Sequence, residues 1–169
     1  DFNFDYYGEF YMKIDNKKAR IILAVIIAVS LVISTVYMFA KQGFHEDELL
    51  TYNLANSSKQ LNVDGGWNSP EDFNEYLAVS PDDRFDYAQV YENQIIDASH
   101  PPLYYALVHT VCSFFPSVFS KWLAYSINVL AMAGILIMLY KIGRKITGNN
   151  LYALIGVGAY ACLLYTSDA

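Results

Sequence analysis

The stretch IILAVIIAVSLVISTVYMFA, residues 21–40, decides the fold class, because its twenty residues carry no charged side chain. A helix rises about 1.5 Å per residue, so this stretch matches a hydrocarbon core of about 30 Å. The cations that precede it are Lys13, Lys17, Lys18 and Arg20. No small-residue cleavage site follows it, so we predict an uncleaved transmembrane helix with residues 1–20 on the cytoplasmic side.

A second run without a charge, WLAYSINVLAMAGILIMLY, covers residues 122–140 and is predicted to be another transmembrane helix. Lys141, Arg144 and Lys145 follow it directly. Because cations collect on the cytoplasmic side, residues 141–150 are predicted to be a cytoplasmic basic loop. Residues 151–161 are expected to be a truncated transmembrane helix.

The composition agrees with a membrane protein, because 54% of the 169 residues are hydrophobic and 16% are aromatic. Residues 42–100 contain twelve Asp or Glu but only Lys59 and Arg84, a balance of −10, whereas the remaining residues sum to +4. The positive-inside rule therefore makes residues 41–100 an external acidic loop. Its short apolar clusters predict short amphipathic helices near the interface rather than a separate core. The chain has no basic patch typical of nucleic-acid binding, so nucleic acid is excluded as a partner.

Residues 101–116, PPLYYALVHTVCSFFP, form an apolar stretch with proline at each end. The stretch is short for a span, and a crossing here would move the basic cluster after residue 140 to the outside. We therefore predict an interfacial or re-entrant helix, on which His109, Thr110 and Ser113 form a narrow polar stripe. The alternative is a short true span, with Lys121 marking the cytoplasm.

Both ends of the sequence carry features foreign to this pattern. The last eight residues, CLLYTSDA (162–169), read as the translation of a sequencing adapter, and we expect them to be an artefact. Met12 is an alternative start, which would leave residues 1–11 as upstream read-through. We therefore expect the chain to be the N-terminal fragment of a longer polytopic protein. If Cys162 is discounted, Cys112 alone remains and no disulfide is predicted.

Two polar clusters flank the external loop where it meets the membrane. The first, GFHEDELL (43–50), contains His45, Asp47 and Glu48, and its carboxylates also suit the first turn of a helix. The second, NQIIDASHPPLYY (93–105), contains His100, which also suits a helix start before proline. Because both ends of the loop are tethered at the same interface, the two clusters are predicted to converge on one cleft.

The stretches GFHEDELLTYNLANS (43–57) and NQIIDASHPPLYYALVHTVCSFFPSVFSKW (93–122) resemble bacterial membrane glycosyltransferases of the GT-C fold, the class that includes protein O-mannosyltransferases and aminoarabinose transferases. The resemblance covers about residues 21–161 and implies an all-α membrane protein with a large external loop. It makes Asp47 the expected catalytic base, with Glu48 its companion. The His-Pro-Pro-Leu motif of the family matches residues 100–103. One departure is that the family has an Asp two residues before this His, whereas Asp97 is three before it.

The resemblance implies an inverting transferase that moves a sugar from a polyprenyl-phosphate donor to an extracytoplasmic glycan, lipid or protein hydroxyl. Asp47, in a partly dehydrated cleft, would deprotonate the acceptor. His100 would orient a carboxylate or contact the donor phosphate, and His45 is a further candidate for substrate binding. Tyr104, Tyr105 and Trp67 are candidates for stacking on sugar or lipid. No metal is predicted to be required, although a divalent metal is an open alternative.

The predicted location is a bacterial plasma membrane, crossed several times. The 169-residue chain alone is expected to be inactive, because the helices that would neutralise the donor phosphate lie beyond it. The alternative function is a non-catalytic membrane protein whose acidic external loop binds a ligand or partner.

Overall fold

The computed structural model describes residues 2–4, 10–12, 14–59, 61, 70–98 and 100–164. Trp67 lies outside the described residues. Within them, a small antiparallel pair of strands, β1 (Phe2–Phe4) and β2 (Phe10–Met12), precedes the helices. The helices are α1 (Asn16–Ala40), α2 (Glu46–Asn56), α3 (Pro70–Leu77), α4 (Tyr87–Asp97), α5 (Pro102–Ser113), α6 (Lys121–Thr147) and α7 (Asn150–Leu164). The chain is thus predominantly helical, as the sequence predicts.

Two of these helices, α1 and α6, are long and apolar enough to cross a membrane. The predicted spans, residues 21–40 and 122–140, lie within them. Asp15 sets the start of α1, because its Oδ1 accepts a 2.8 Å hydrogen bond from the backbone N–H of Lys18. Large apolar side chains such as Val25, Val32 and Val36 are more than half exposed on α1, which suits a helix surrounded by lipid.

The C-terminal part of α6 corrects the sequence prediction for residues 141–150. The helix continues to Thr147, so most of the predicted basic loop is helical. Lys and Arg are good helix formers, and their charge is favoured in the last turns by the helix dipole. The helix ends at Gly148, which has φ +65° and donates its backbone N–H to the Arg144 carbonyl at 2.9 Å.

The chain divides into two compact units, and unit 1 comprises Asp1–Ala40 and Val129–Ala169. Its buried residues come from α1, α6 and α7: Ala19, Leu23, Leu136, Tyr140, Ala153, Leu154, Val157 and Ala161. Asn150 ties the start of α7 to this unit, because it donates to the Ile14 carbonyl at 2.8 Å and accepts from the Tyr140 hydroxyl at 2.9 Å. Small residues allow close approach, since a Cβ on Gly143 would lie 3.3 Å from the Cα of Ala153.

Unit 2, Lys41–Asn128, contains the predicted external loop, α5 and the first residues of α6. Its helices pack around α2 and share one core: Tyr52, Ala55, Leu77, Val79, Val90, Tyr105, Val108 and Cys112. The prediction that this loop has no separate core is therefore wrong. The apolar clusters are short, but α2 brings them together, which a search along the sequence does not detect.

Asparagine side chains hold this core together by satisfying backbone carbonyls at the helix ends. Asn53 donates to the carbonyls of Lys59 at 2.8 Å and Tyr76 at 2.9 Å. Asn93, on α4, donates to the carbonyls of Leu54 at 3.0 Å and Ser57 at 2.8 Å. Buried carbonyls need such partners, so these amides allow irregular segments to be buried beside the helices.

The helix α5 has twelve residues and is therefore about 18 Å long, short of the about 30 Å that a straight crossing needs. The predicted polar stripe of α5 faces the core of unit 2. His109 and Ser113 are 1% and 0% exposed, and the Ser113 Oγ accepts a 3.0 Å hydrogen bond from the backbone N–H of Phe85.

Candidate functional site

The first cluster forms the N-terminus of α2, where His45 is the N-cap residue. The backbone N–H of Asp47 donates to Nδ1 of His45 at 3.3 Å, and the backbone N–H of His45 donates to Oε2 of Glu48 at 2.9 Å. This reciprocal arrangement is a capping box. It fixes the first turn of α2, from which Asp47 projects.

Glu48 has a structural role in this arrangement, because both of its carboxylate oxygens are engaged. While Oε2 accepts from His45, Oε1 forms an ion pair with the ammonium group of Lys41. Lys121 in turn donates to the Lys41 carbonyl at 2.8 Å. These contacts connect the start of α2 to Lys41, which follows α1, and to Lys121, the first residue of α6.

Asp47 is the accessible carboxylate of the pair. Its side chain is 85% exposed, and its Oδ2 lies 3.4 Å from Nδ1 of His45. The sequence-based expectation of a partly dehydrated cleft is therefore not met around Asp47 in this chain. A carboxylate so exposed is accessible to a hydroxyl from solvent or from a bound acceptor.

The second cluster is the turn between α4 and α5. Ala98 ends α4 in the left-handed conformation, with φ 55°, and its backbone N–H donates to the Gln94 carbonyl at 2.9 Å. This reversal brings Nδ1 of His100 to 2.8 Å from Oδ2 of Asp97. Pro101 and Pro102 then start α5. Asp97, which departs from the family spacing, is thus the partner of His100.

The two clusters meet at Tyr105, because α2 packs against α5. The Tyr105 side chain shares a hydrogen bond with Thr51, and the Thr51 hydroxyl donates to the Asp47 carbonyl at 2.7 Å. Burial raises the pKa of Tyr105, and the negative charges of Asp97 and Asp47 raise it further. The centroid of the His100 ring lies 6.1 Å from that of the Tyr105 ring, so Tyr105 lies beside both Thr51 of α2 and His100 of the second cluster.

The two tyrosines of the HPPLYY motif have different surroundings. Tyr105 is 6% exposed, so its ring belongs to the core and does not offer a stacking surface to a sugar. Tyr104 is 36% exposed and donates its hydroxyl to Oδ1 of Asn128 at 3.2 Å. Of these two tyrosines, Tyr104 alone presents part of its ring to the surface.

Sequence reasoning missed Thr51 and the pairing of Asp97 with His100. A signal for Thr51 is present, because it lies four residues after Asp47 and therefore on the same face of α2. The pairing depends on the left-handed Ala98, which no residue preference indicates, since alanine rarely adopts that conformation.

Among the described residues, no group of three or more His, Cys, Asp or Glu side chains is arranged to hold a metal ion. No protein-family model, curated protein or solved structure matches this chain. The resemblance to GT-C glycosyltransferases therefore rests on the motifs quoted from the sequence.

Proposed function

We propose that this chain belongs to an integral membrane glycosyltransferase that moves a sugar from a polyprenyl-phosphate donor to an extracytoplasmic hydroxyl, with Asp47 as the general base. The observation that supports this most is the meeting of two polar clusters around Tyr105. One contributes the exposed carboxylate of Asp47, and the other contributes the Asp97–His100 pair. The proposed location is a plasma membrane of a bacterium, crossed several times.

The chemistry requires a base on one side of the anomeric carbon and a phosphate leaving from the other. An exposed carboxylate held by a fixed helix start provides a base whose position does not depend on loop motion. The capping box and the Thr51 hydrogen bond restrain the backbone on both sides of Asp47. In this proposal Glu48 is a positioning residue, because it holds the cap and binds Lys41.

His100 is suited to contact the donor phosphate. Its Nδ1 pairs with Asp97, so its Nε2 is the atom that would donate to a phosphate oxygen. The carboxylate fixes the orientation of the ring, as it does in many catalytic His–Asp pairs. His45 would interact with the donor or acceptor from the other side of Asp47, and Tyr104 would line the path of the lipid.

The membrane attachment suits a lipid-linked donor. Lys41 follows α1 directly, and it is bound both by Glu48, in the first turn of α2, and by Lys121. Asp47 is therefore close to where a candidate span ends. A sugar-phosphate on a polyprenyl chain lies at this depth, because its tail stays in the hydrocarbon while its head group stays in water.

The test is sugar transfer by the full-length gene product in membranes supplied with lipid-linked sugars. Asp47→Asn should lower the rate at least about 100-fold, since positioned acid–base groups contribute about 10² to 10⁴. Asp82→Asn, a matched change at another exposed carboxylate of unit 2, should leave the rate unchanged. Equal rates for wild type and Asp47→Asn, at equal amounts of folded protein, would exclude Asp47 as the base.

A second candidate function is a non-catalytic membrane protein that binds a ligand or partner through its acidic external loop. The 85% exposure of Asp47 favours it, because solvated carboxylates suit reversible binding as well as catalysis. Under this alternative, no lipid-linked sugar is consumed by wild-type protein, and neutralising Asp47 weakens partner binding instead.

A further inference from the structure

The helix α5 carries apolar side chains on its exposed face as well as on its buried face. Its buried face combines Tyr105, Val108 and Cys112 with the polar His109 and Ser113. Its opposite face carries Leu103 and Leu107, which are 72% and 44% exposed. At 100° per residue these two leucines lie on one stripe, and a soluble helix normally buries such a stripe.

The apolar stripe continues beyond α5 into a surface that we call the aromatic rim, formed by Phe85, Tyr87, Phe114 and Phe115. Each of its rings is exposed by at least 39%. Phe85 and Phe114 are in edge-to-face contact with centroids 5.4 Å apart, and the Tyr87 hydroxyl lies 3.0 Å from the Thr110 hydroxyl on α5. The leucine stripe and the aromatic rim therefore belong to one side of unit 2.

The chain itself indicates what covers this surface. Phe114 and Phe115 lie six or seven residues before Lys121, where α6 begins and runs into an apolar segment long enough to span a bilayer. The Lys121 ammonium group donates to the Lys41 carbonyl, so the residue after α1 lies beside the first residue of α6. Lys41 and Lys121 therefore lie together within unit 2, and Lys121 is close in sequence to Phe114 and Phe115 of the aromatic rim.

We propose that the leucine stripe and the aromatic rim of unit 2 lie in the interfacial layer of the lipid bilayer, as a monotopic contact surface. Aromatic side chains are favoured at the head-group level, and exposed aliphatic side chains are stabilised just below it. The contact is hydrophobic rather than electrostatic, because residues 42–100 carry a net charge of −10 and would be repelled by anionic lipid. The inference does not depend on the proposed transferase activity.

The test places one fluorescent label at a time on the full chain in phosphatidylcholine vesicles. Cys162 is changed to Ser, and Cys112 stays unlabelled because it is fully buried and burial raises the pKa of its thiol to about 11. Labels are attached to Leu107→Cys and Phe114→Cys on the proposed surface. Matched control labels are attached to Asp82→Cys and Glu92→Cys, at exposed charged positions of unit 2 that belong to neither the leucine stripe nor the aromatic rim.

Brominated lipid should quench the labels at 107 and 114 several-fold more than those at 82 and 92, and aqueous iodide should show the opposite order. A label at Leu130→Cys, on α6 and 74% exposed, should be quenched by lipid and so report insertion. Iodide quenching at 107 and 114 equal to that at 82 and 92 would overturn the proposal. Protection from both quenchers would overturn it too, because a protein segment would then cover the surface. If lipid does not quench the label at 130, the chain does not insert into the bilayer, and this result would also overturn the proposal.

Discussion

The hydroxyl of Tyr52 accepts a 2.9 Å hydrogen bond from the backbone N–H of Ala124, in the first turn of α6. The same hydroxyl donates to the Ser120 carbonyl at 2.7 Å. One side chain of α2 therefore acts as a cap for α6, whose first N–H groups have no partner within the helix. The start of a candidate membrane span is fixed by the core of unit 2.

Tyr52→Phe should destabilise unit 2 by about 1–3 kcal/mol, because the part-buried Ala124 N–H loses its partner and the Ser120 carbonyl keeps only the N–H of Leu123. Chemical unfolding in mild detergent measures the difference. Tyr91→Phe, at a tyrosine that is 59% exposed, is the matched control and should change stability by less than about 0.5 kcal/mol. Equal stability of wild type and Tyr52→Phe would show that water replaces the cap.

Stability should also decrease at alkaline pH through Tyr52. Burial raises the pKa of Tyr52 above its ordinary value of 10.0. Above about pH 10 the unfolded chain therefore loses this proton while the folded chain keeps it, and the free energy of unfolding falls as pH rises. Unfolding measured at several pH values should show a smaller alkaline decrease in Tyr52→Phe. A decrease of the same size in both proteins would assign the effect to other groups.

Acid should destabilise unit 2 through His109. Burial lowers the pKa of His109 below 6.5, although the Ala55 and Asp83 carbonyls and the Asp86 and Asp83 carboxylates favour the proton. The stability contributed by neutral His109 is present above about pH 6.5 and is lost as pH falls, because the unfolded chain takes up the proton first. Unfolding at pH 7.5 and pH 5 should therefore differ less in His109→Gln than in wild type.

The control for this measurement is Val108→Ala, at a neighbouring position that is also fully buried. It should lower stability by a similar amount at both pH values, because it removes packing and no titrating group. If His109→Gln keeps the full acid sensitivity of wild type, the carboxylates of unit 2 are responsible instead.

Ala98→Gly should stabilise the turn that holds His100. Ala98 adopts φ 55°, where glycine has no steric penalty, so we expect a gain of about 0.5–1 kcal/mol. Ala88→Gly, inside α4, is the matched control and should destabilise by a similar amount, because glycine is unfavourable within a helix. Thermal unfolding should order the proteins as Ala98→Gly, wild type and Ala88→Gly. The opposite order for the two variants would mean that the turn is not held in this conformation.

The charge distribution predicts the topology. In a Cys162→Ser background, single cysteines at Lys18, Asp82 and Lys145 are exposed to a membrane-impermeant thiol reagent in intact cells. Only the cysteine at Asp82 should react, because the charge distribution predicts an external acidic loop and cytoplasmic basic flanks. Permeabilised cells should give labelling at all three positions. Labelling at Lys145 in intact cells would instead support the alternative in which residues 101–116 cross the membrane.

The parts of the fold that depend on local composition could be predicted from the sequence. Uncharged runs long enough for a bilayer indicated α1 and α6, and the acidic residues after His45 indicated a helix start. The basic residues after position 140 were interpreted as a loop because topology rules use charge. Helix propensity, which those rules ignore, extends α6 through them to Thr147.

The core of unit 2 could not be predicted, because it depends on contacts between distant segments. Amides such as Asn53 and Asn93 are polar in sequence, yet they bind carbonyls inside the unit. Tyr105 resembled an interfacial tyrosine because it follows Tyr104, but packing against α2 buries it. The convergence of Asp47 and His100 stays a prediction, although Tyr105 lies beside Thr51, on the same helix as Asp47, and beside the ring of His100.

The hydrogen bond from Lys121 to the Lys41 carbonyl joins two residues that are eighty positions apart, one at the start of unit 2 and one close to its end. A unit whose ends meet can be exchanged as a cassette, because a short turn can bridge the gap that its removal leaves. Unit 2 is therefore a natural site for graft experiments, in which its surface residues vary while the flanking apolar helices keep their sequence. Such chimaeras would separate the contribution of the apolar helices from the contribution of unit 2.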